Sequence, residues 1–221
     1  MRVAFQMDPS EKLSLTGDTT FQLALEAQNR GYTVKHFIPQ NLFYESGKVY
    51  AETNEINLFI EHGIEKFEYG NKNIENLKSF DVILMRQDPP FDLSYITASH
   101  LLEKISKDVL VLNDPIEVRN APEKLFVTNF NKIMPKTLIS RNVHSIKLFR
   151  KKYKDIIVKP LYGNGGDGIF FIKNNDENFN SIIETFLNKI NEQFIVQEYI
   201  PSVRKGDKRI LLIDGIPVGA I

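Results

Sequence analysis

Residues 156–172 read IIVKPLYGNGGDGIFFI, and this stretch decides the fold. The chain has 12 glycines in 221 residues, and Gly163, Gly165, Gly166 and Gly168 all fall inside it, within six positions. Hydrophobic runs flank them, and a Lys159-Pro160 step leads in. Glycine costs roughly 0.5–1 kcal/mol against alanine in ordered structure, so a plain turn is made more cheaply with fewer. Gly163-x-Gly165-x-x-Gly168 has dinucleotide-fingerprint spacing, but that device needs a strand before it and a helix after. Here the loop runs into "IFFIK", a β-branched and aromatic run that reads as a strand, so a Rossmann site is disfavoured. No Gly-Lys-Ser/Thr closes the loop, and neither H-R-D nor D-F-G occurs, which argues against Walker A and protein-kinase sites. What remains is a hairpin whose bare amides fold over polyphosphate, with Lys159 on the incoming strand neutralising charge. The bland alternative is a wide turn with no ligand.

Around this loop the second half of the chain reads as a smaller α+β domain. "KTLIS" is strand-like, "VHSIKLFRKKY" helical, and "IIVKP" a strand. After the loop come "IFFIK", a helix near Phe179–Ile190, the strand Phe194–Ile200, and "RILLI" turning at Asp214-Gly215 into "IPVGAI". The first half alternates instead. "RVAFQM" is a buried strand, and "DPSEKLSLTGD" is a loop. A helix follows, capped by Asp18 or Thr19 and stopped at Gly31, then the strand "YTVKHFI". "LFYESGKVYAE" reads as a hairpin around Ser46-Gly47. The strand Phe80–Arg86, a helix near Ser94–Lys107 and the strand Val109–Asn113 complete the series. Such strand–helix–strand units predict a doubly wound parallel sheet up to about residue 120. The turn- and cap-rich Asn113–Lys124 marks a domain boundary.

Composition narrows the function. Lys+Arg 28 against Asp+Glu 28 leaves no basic excess, which argues against a nucleic-acid binder. Cysteine is absent, which removes disulfides, thiolate catalysis and Cys-based zinc sites and suits a reducing cytosol. No apolar run approaches the roughly 18 residues of a membrane span, and the N-terminus is too short in apolar residues for a signal peptide. His36, His62, His100 and His144 are scattered without metal-binding spacing.

Several residues fit a nucleotide site once the glycine loop is taken as one. Gln197 and Glu198 end an apolar strand, where a carboxamide and backbone groups meet an adenine edge; an ordinary strand end is the plain alternative. Asp207 can hold a ribose hydroxyl and Arg209 clamp a phosphate bidentately, although such charged runs are usually solvated loops. Lys124 begins a helix and is placed either for phosphate or for solvent. Arg86 ends a buried strand, where open α/β sheets gather ligands, and is a candidate for an anionic substrate.

With "MDP", "VILMRQDPPFD", "EKLF", "IIVKPLYGNGGDGIF" and "GDKRILLIDG" in this order over nearly the whole chain, the sequence resembles the ATP-grasp carboxylate–amine ligases, and among them the bacterial glutathione synthetase family. "KPLYGNGG" is shared with other ATP-grasp enzymes; "MRQDPPFD" and "GDKRILLIDG" discriminate more. The resemblance implies ligation of γ-glutamylcysteine and glycine by ATP through an acyl phosphate, in a cytoplasmic homo-oligomer. It implies a pre-ATP-grasp domain over residues 1–121, a small lid domain over 122–200, and the start of a further ATP-grasp subdomain over 201–221. Carried over by position, Lys124 and Lys159 contact the nucleotide phosphates, and Gly163, Asn164, Gly165, Gly166 and Gly168 close over them. Gln197, Glu198 and Ile200 line the adenine pocket, Asp207 holds the nucleotide, and Arg209 is the catalytic contact to the phosphoryl or acyl-phosphate end. Arg86 is a contact to the dipeptide. The family holds Mg²⁺, with Mn²⁺ as an alternative, through an Asp and a Glu-x-Asn set that belongs beyond Ile221. Glu55-x-Asn57 is a decoy for that set. The implied chain is therefore a truncated ATP-grasp domain with no metal ligands of its own, inactive alone. The rival readings are another ATP-grasp ligase, such as a D-alanine–D-alanine ligase, and a non-catalytic nucleotide-binding module.

Overall fold

The structure is a computed structural model that describes residues 1–9, 18–163 and 165–221. The chain divides into two compact units, residues 1–126 with 162–164, and residues 127–161 with 165–221.

The first unit is built on a seven-stranded sheet. Its elements are β1 (Arg2–Gln6), α1 (Thr19–Asn29), β2 (Thr33–Phe37), β3 (Leu42–Glu45), β4 (Lys48–Glu61), β5 (Ile64–Asn76), β6 (Val82–Met85), α2 (Leu93–Glu103), β7 (Leu110–Leu112), α3 (Pro115–Asn120) and α4 (Glu123–Phe126). β2, β1, β6 and β7 lie side by side and parallel. Alternation along β1 explains why helices cover both faces. Val3 and Phe5 pack with Phe21 and Ala24 of α1, while Ala4 packs with Ala98 and Leu102 of α2. α1 starts where its cap chemistry dictates, the Asp18 carboxylate accepting from the Phe21 amide at 2.8 Å.

β4 adds antiparallel to β2, and β3 and β5 flank β4. The β3–β4 turn is Ser46-Gly47 and the β4–β5 turn His62-Gly63, with all four residues at positive φ. Two-residue turns of this kind match the right-handed twist of paired strands. The long β4–β5 ribbon is the element that sequence patterning does not reveal. β5 is half-exposed to exposed throughout, so it carries no apolar alternation, and only pairing with β4 makes it a strand. Phe67 on β5 meets the buried Phe21 edge-on at 5.3 Å, which ties the ribbon to α1.

The second unit contains β8 (Thr137–Ser140), α5 (Val143–Tyr153), β9 (Ile156–Pro160), β10 (Phe170–Ile172), α6 (Phe179–Lys189) and β11 (Phe194–Glu198), then β12 (Ile210–Ile213) and β13 (Ile216–Ala220). Four strands form an antiparallel sheet in the order β10-β9-β11-β8. α5 and α6 cover one face, where Ile156, Val158, Ile172, Phe194 and Val196 pack against Ile146, Ile183 and Phe186. β12 and β13 form a separate two-stranded hairpin turning at Asp214-Gly215, and its residues are exposed. No helix among the described residues is long and apolar enough to cross a membrane.

Candidate functional site

The face of the four-stranded sheet opposite α5 and α6 carries the site. Strand residues alternate between faces, so with Ile156 and Val158 in the core, Ile157 and Lys159 point the other way. Register brings their counterparts into one row: Phe171 pairs with Ile157, Ile157 with Gln197, and Gln197 with Thr137. Three of those four residues line a cavity of about 560 Å³, together with Pro135, Lys159, Ile169, Glu198, Tyr199, Ile200, Val203, Arg204 and Gly206. Its walls are mainly apolar, with the Lys159 and Arg204 cations, the Gln197 amide and the Glu198 carboxylate at intervals, as is usual for a small-molecule site.

The polar groups are held in place. Gln197 Nε2 donates to Thr137 Oγ1 at 2.8 Å, and Thr137 Oγ1 donates to the Pro135 carbonyl at 2.8 Å. The Glu198 amide donates to the Lys136 carbonyl at 2.9 Å and the Tyr199 amide to the Asp155 carbonyl at 3.0 Å. The Tyr199 ring lies 4.2 Å from that of Phe171, and its hydroxyl accepts from Arg204 Nε at 3.1 Å.

The glycine loop connects antiparallel β9 and β10, and it leads into a strand and not a helix. Gly163, Gly165, Gly166 and Gly168 all have positive φ. At Gly168 the requirement is double: φ is +68°, and a Cβ there would stand 2.9 Å from Pro160 Cγ. Asn164 lies outside the described residues.

Of the residues singled out in the sequence, Lys159, Gln197, Glu198 and Ile200 meet in the cavity. Lys124, on α4, donates from Nζ to the Gly163 carbonyl at 2.9 Å, so its ammonium is engaged at the root of the glycine loop. Asp207 and Arg209 are exposed and do not line the cavity; the Arg209 backbone pairs with Ile221 at the open end of the β12–β13 hairpin. Arg86 belongs to the first unit, where its Nε donates to Thr20 Oγ1 at 3.0 Å. Glu55 and Asn57 lie on β4, with Asn57 Nδ2 facing Glu68 Oε2 at 3.5 Å on β5. Sequence reading missed Ile157, Phe171, Tyr199, Thr137 and Arg204. Stepping by two from Lys159 marks Ile157, but Phe171 and Thr137 follow only from register.

A four-stranded antiparallel sheet with a glycine hairpin on one edge and a nucleotide-sized cavity on its open face defines an ATP-grasp protein. The solved structure of the D-cycloserine synthetase DcsG matches all of this chain and 67% of its own at a TM-score of 0.66 and 15% identity. A RimK domain ATP-grasp protein from Sphaerobacter thermophilus matches 95% of this chain and 68% of its own at 0.59 and 15%. The family models are more specific: "Prokaryotic glutathione synthetase, N-terminal domain" matches residues 1–119, and "Prokaryotic glutathione synthetase, ATP-grasp domain" matches residues 123–221. The glutathione synthetase of Agrobacterium fabrum is 51% identical over 219 residues, covering 99% of this chain and 68% of that protein. The chain belongs to the prokaryotic glutathione synthetase family.

Proposed function

We infer that these residues serve the ATP-dependent ligation of γ-glutamylcysteine to glycine, which gives glutathione, ADP and phosphate, and that the 221 residues by themselves are inactive. The observation that carries this reading is the cavity holding Lys159, Gln197, Glu198 and Ile200 on one sheet face, in a chain of this family. Ile157, Phe171 and Ile200 supply apolar surface for adenine, and Gln197 and the backbone of Glu198 and Tyr199 supply its hydrogen bonds. Lys159 and Lys124 are assigned to the phosphate charge. The positive-φ glycines let loop amides turn onto phosphate oxygens. Asp207 and Arg209, which lie outside the cavity, are assigned to the ribose and the phosphoryl end by the family pattern alone.

The cysteinyl carboxylate of the dipeptide attacks the γ-phosphorus, and ADP leaves. The glycine amine then attacks the acyl phosphate carbon, forming the peptide bond as phosphate departs and the amine loses a proton. Both steps depend on positioning and on exclusion of water. The family uses ATP with a divalent metal, in this reading Mg²⁺, with Mn²⁺ as the alternative, which when bound neutralises polyphosphate charge. Among the described residues no group of three or more His, Cys, Asp or Glu is placed to hold such an ion. The substrates are small molecules. The protein acts in the cytoplasm as a homo-oligomer, without nucleic acid or membrane as partner.

Phosphate release tests the reading, with ATP, γ-glutamylcysteine and glycine omitted in turn. Release that needs all three supports the ligase and overturns the inactivity of the 221 residues alone, whereas no release fits that inactivity. Release that proceeds with D-alanine alone, or with ATP alone and unchanged by the other two, contradicts the reading.

A further inference from the structure

Thr137 carries an inference that rests on the nucleotide reading above. In the row of Phe171, Ile157, Gln197 and Thr137 on the open sheet face, Thr137 alone does not line the cavity. It stands behind Gln197 on the edge strand β8. There it lines a second depression of about 560 Å³, with Pro135 bordering both. Its hydrogen-bonded route toward a ligand in the cavity is the Gln197 side chain.

A threonine hydroxyl has one proton to donate and lone pairs that accept. The Pro135 carbonyl can only accept, so the Thr137 proton goes to it, at 2.8 Å. Toward Gln197 the same oxygen is then an acceptor, and the group it meets at 2.8 Å has to be Nε2. The opposite orientation of the carboxamide would set two acceptors against each other, or take the proton away from the Pro135 carbonyl. Either change loses a hydrogen bond that the present arrangement makes.

This orientation decides what a ligand meets. With Nε2 turned to Thr137, Oε1 is the amide atom left for the cavity, on a side chain that is half-buried and lines it. Among the described residues no donor engages that oxygen. The next two amides do not offset the acceptor. Those of Glu198 and Tyr199 donate to the Lys136 and Asp155 carbonyls at 2.9 and 3.0 Å, so neither is left as a donor to a base. Purines divide on this point, because adenine carries a 6-amino donor and guanine or hypoxanthine a 6-oxo acceptor.

We propose that Thr137 is a positioning residue that sets the base preference of the cavity, by holding the Gln197 carboxamide with its oxygen toward a 6-aminopurine. Without the hydroxyl the carboxamide is free to turn and present Nε2 to a 6-oxopurine instead. Selection between the two bases is then governed from behind the residues that touch them.

Calorimetric titration with ADP and with IDP, which has a 6-oxo group in place of the 6-amino group, tests this. The wild-type chain should bind ADP about tenfold more tightly than IDP or better, the ratio that one matched against one opposed hydrogen bond supplies. Thr137→Val should bring the two affinities within about threefold of each other, by weakening ADP and strengthening IDP. Thr137→Ser keeps the hydroxyl and should keep the wild-type ratio. A circular dichroism spectrum like that of the wild type shows each variant folded, and Thr137→Ala removes the same hydroxyl if Thr137→Val does not fold. Weakening of ADP and IDP by the same factor in Thr137→Val, or loss of the ratio in Thr137→Ser, means a structural role only and overturns the proposal. Equal binding of ADP and IDP by the wild type also overturns it, while leaving the nucleotide reading intact. Binding of neither by a folded wild-type chain overturns both.

Discussion

At the residue scale, Gly168 makes the strictest demand in the glycine loop. Its φ of +68° and the 2.9 Å approach that a Cβ would make to Pro160 Cγ are separate penalties, whereas Gly166, at +80°, has open space around its Cβ position. Gly168→Ala should therefore cost about 1–3 kcal/mol of stability and more than Gly166→Ala, as read by urea denaturation. Equal costs would mean that backbone strain alone acts at both positions. The glycines and Lys159 were legible in the sequence because four glycines in six positions are hard to explain as a turn. Thr137 was not legible. Its part, receiving a hydrogen bond from Gln197 at 2.8 Å, depends on β8 pairing with β11 across 60 residues of chain.

At the element scale, local chemistry set what could be read. α5 covers Val143–Tyr153, the helical run expected from the sequence, because Asn142 caps it through Ser145 N at 2.9 Å and the apolar period is local. The β4–β5 ribbon was not read, since its outer strand has no buried face of its own. What fixes that ribbon to the sheet is a charged cluster. Glu75 on β5 accepts from Thr53 on β4 and from Arg2 on β1, and Lys35 Nζ on β2 lies 3.7 Å from it. Burial acts to raise the Glu75 carboxyl, but Thr53, Arg2 and Lys35 together bring it below the usual glutamate range. A lowered folded-state value means that the stabilisation is fully present above the ordinary glutamate range and is lost as pH falls through the lowered value. Glu75→Gln should cost about 1.5–3 kcal/mol near neutral pH and should flatten the acid limb of the stability–pH curve. A steep acid limb retained in the variant would place that dependence elsewhere.

At the scale of the whole molecule, the chain joins two units of different construction. The first is a parallel sheet sandwiched by helices and extended by antiparallel strands; the second is an antiparallel sheet with helices on one face and a cavity on the other. The change from alternating units to loop-flanked strands was visible in the sequence, because helix and strand periods differ. The cavity was not, because it is bounded by residues from 135 to 206 that only the sheet brings together. The chain spans 68% of the length of its Agrobacterium fabrum relative, and in the proposed reading its cavity-bearing sheet receives the nucleotide. Calorimetric titration of ADP into the wild-type chain and into Lys159→Ala tests that claim most directly. One site per chain is expected in the wild type, with binding at least about tenfold weaker in the variant, as loss of a charged phosphate contact requires. A folded wild-type chain that binds no ADP, or a Lys159→Ala chain that binds it as tightly as the wild type, would contradict it.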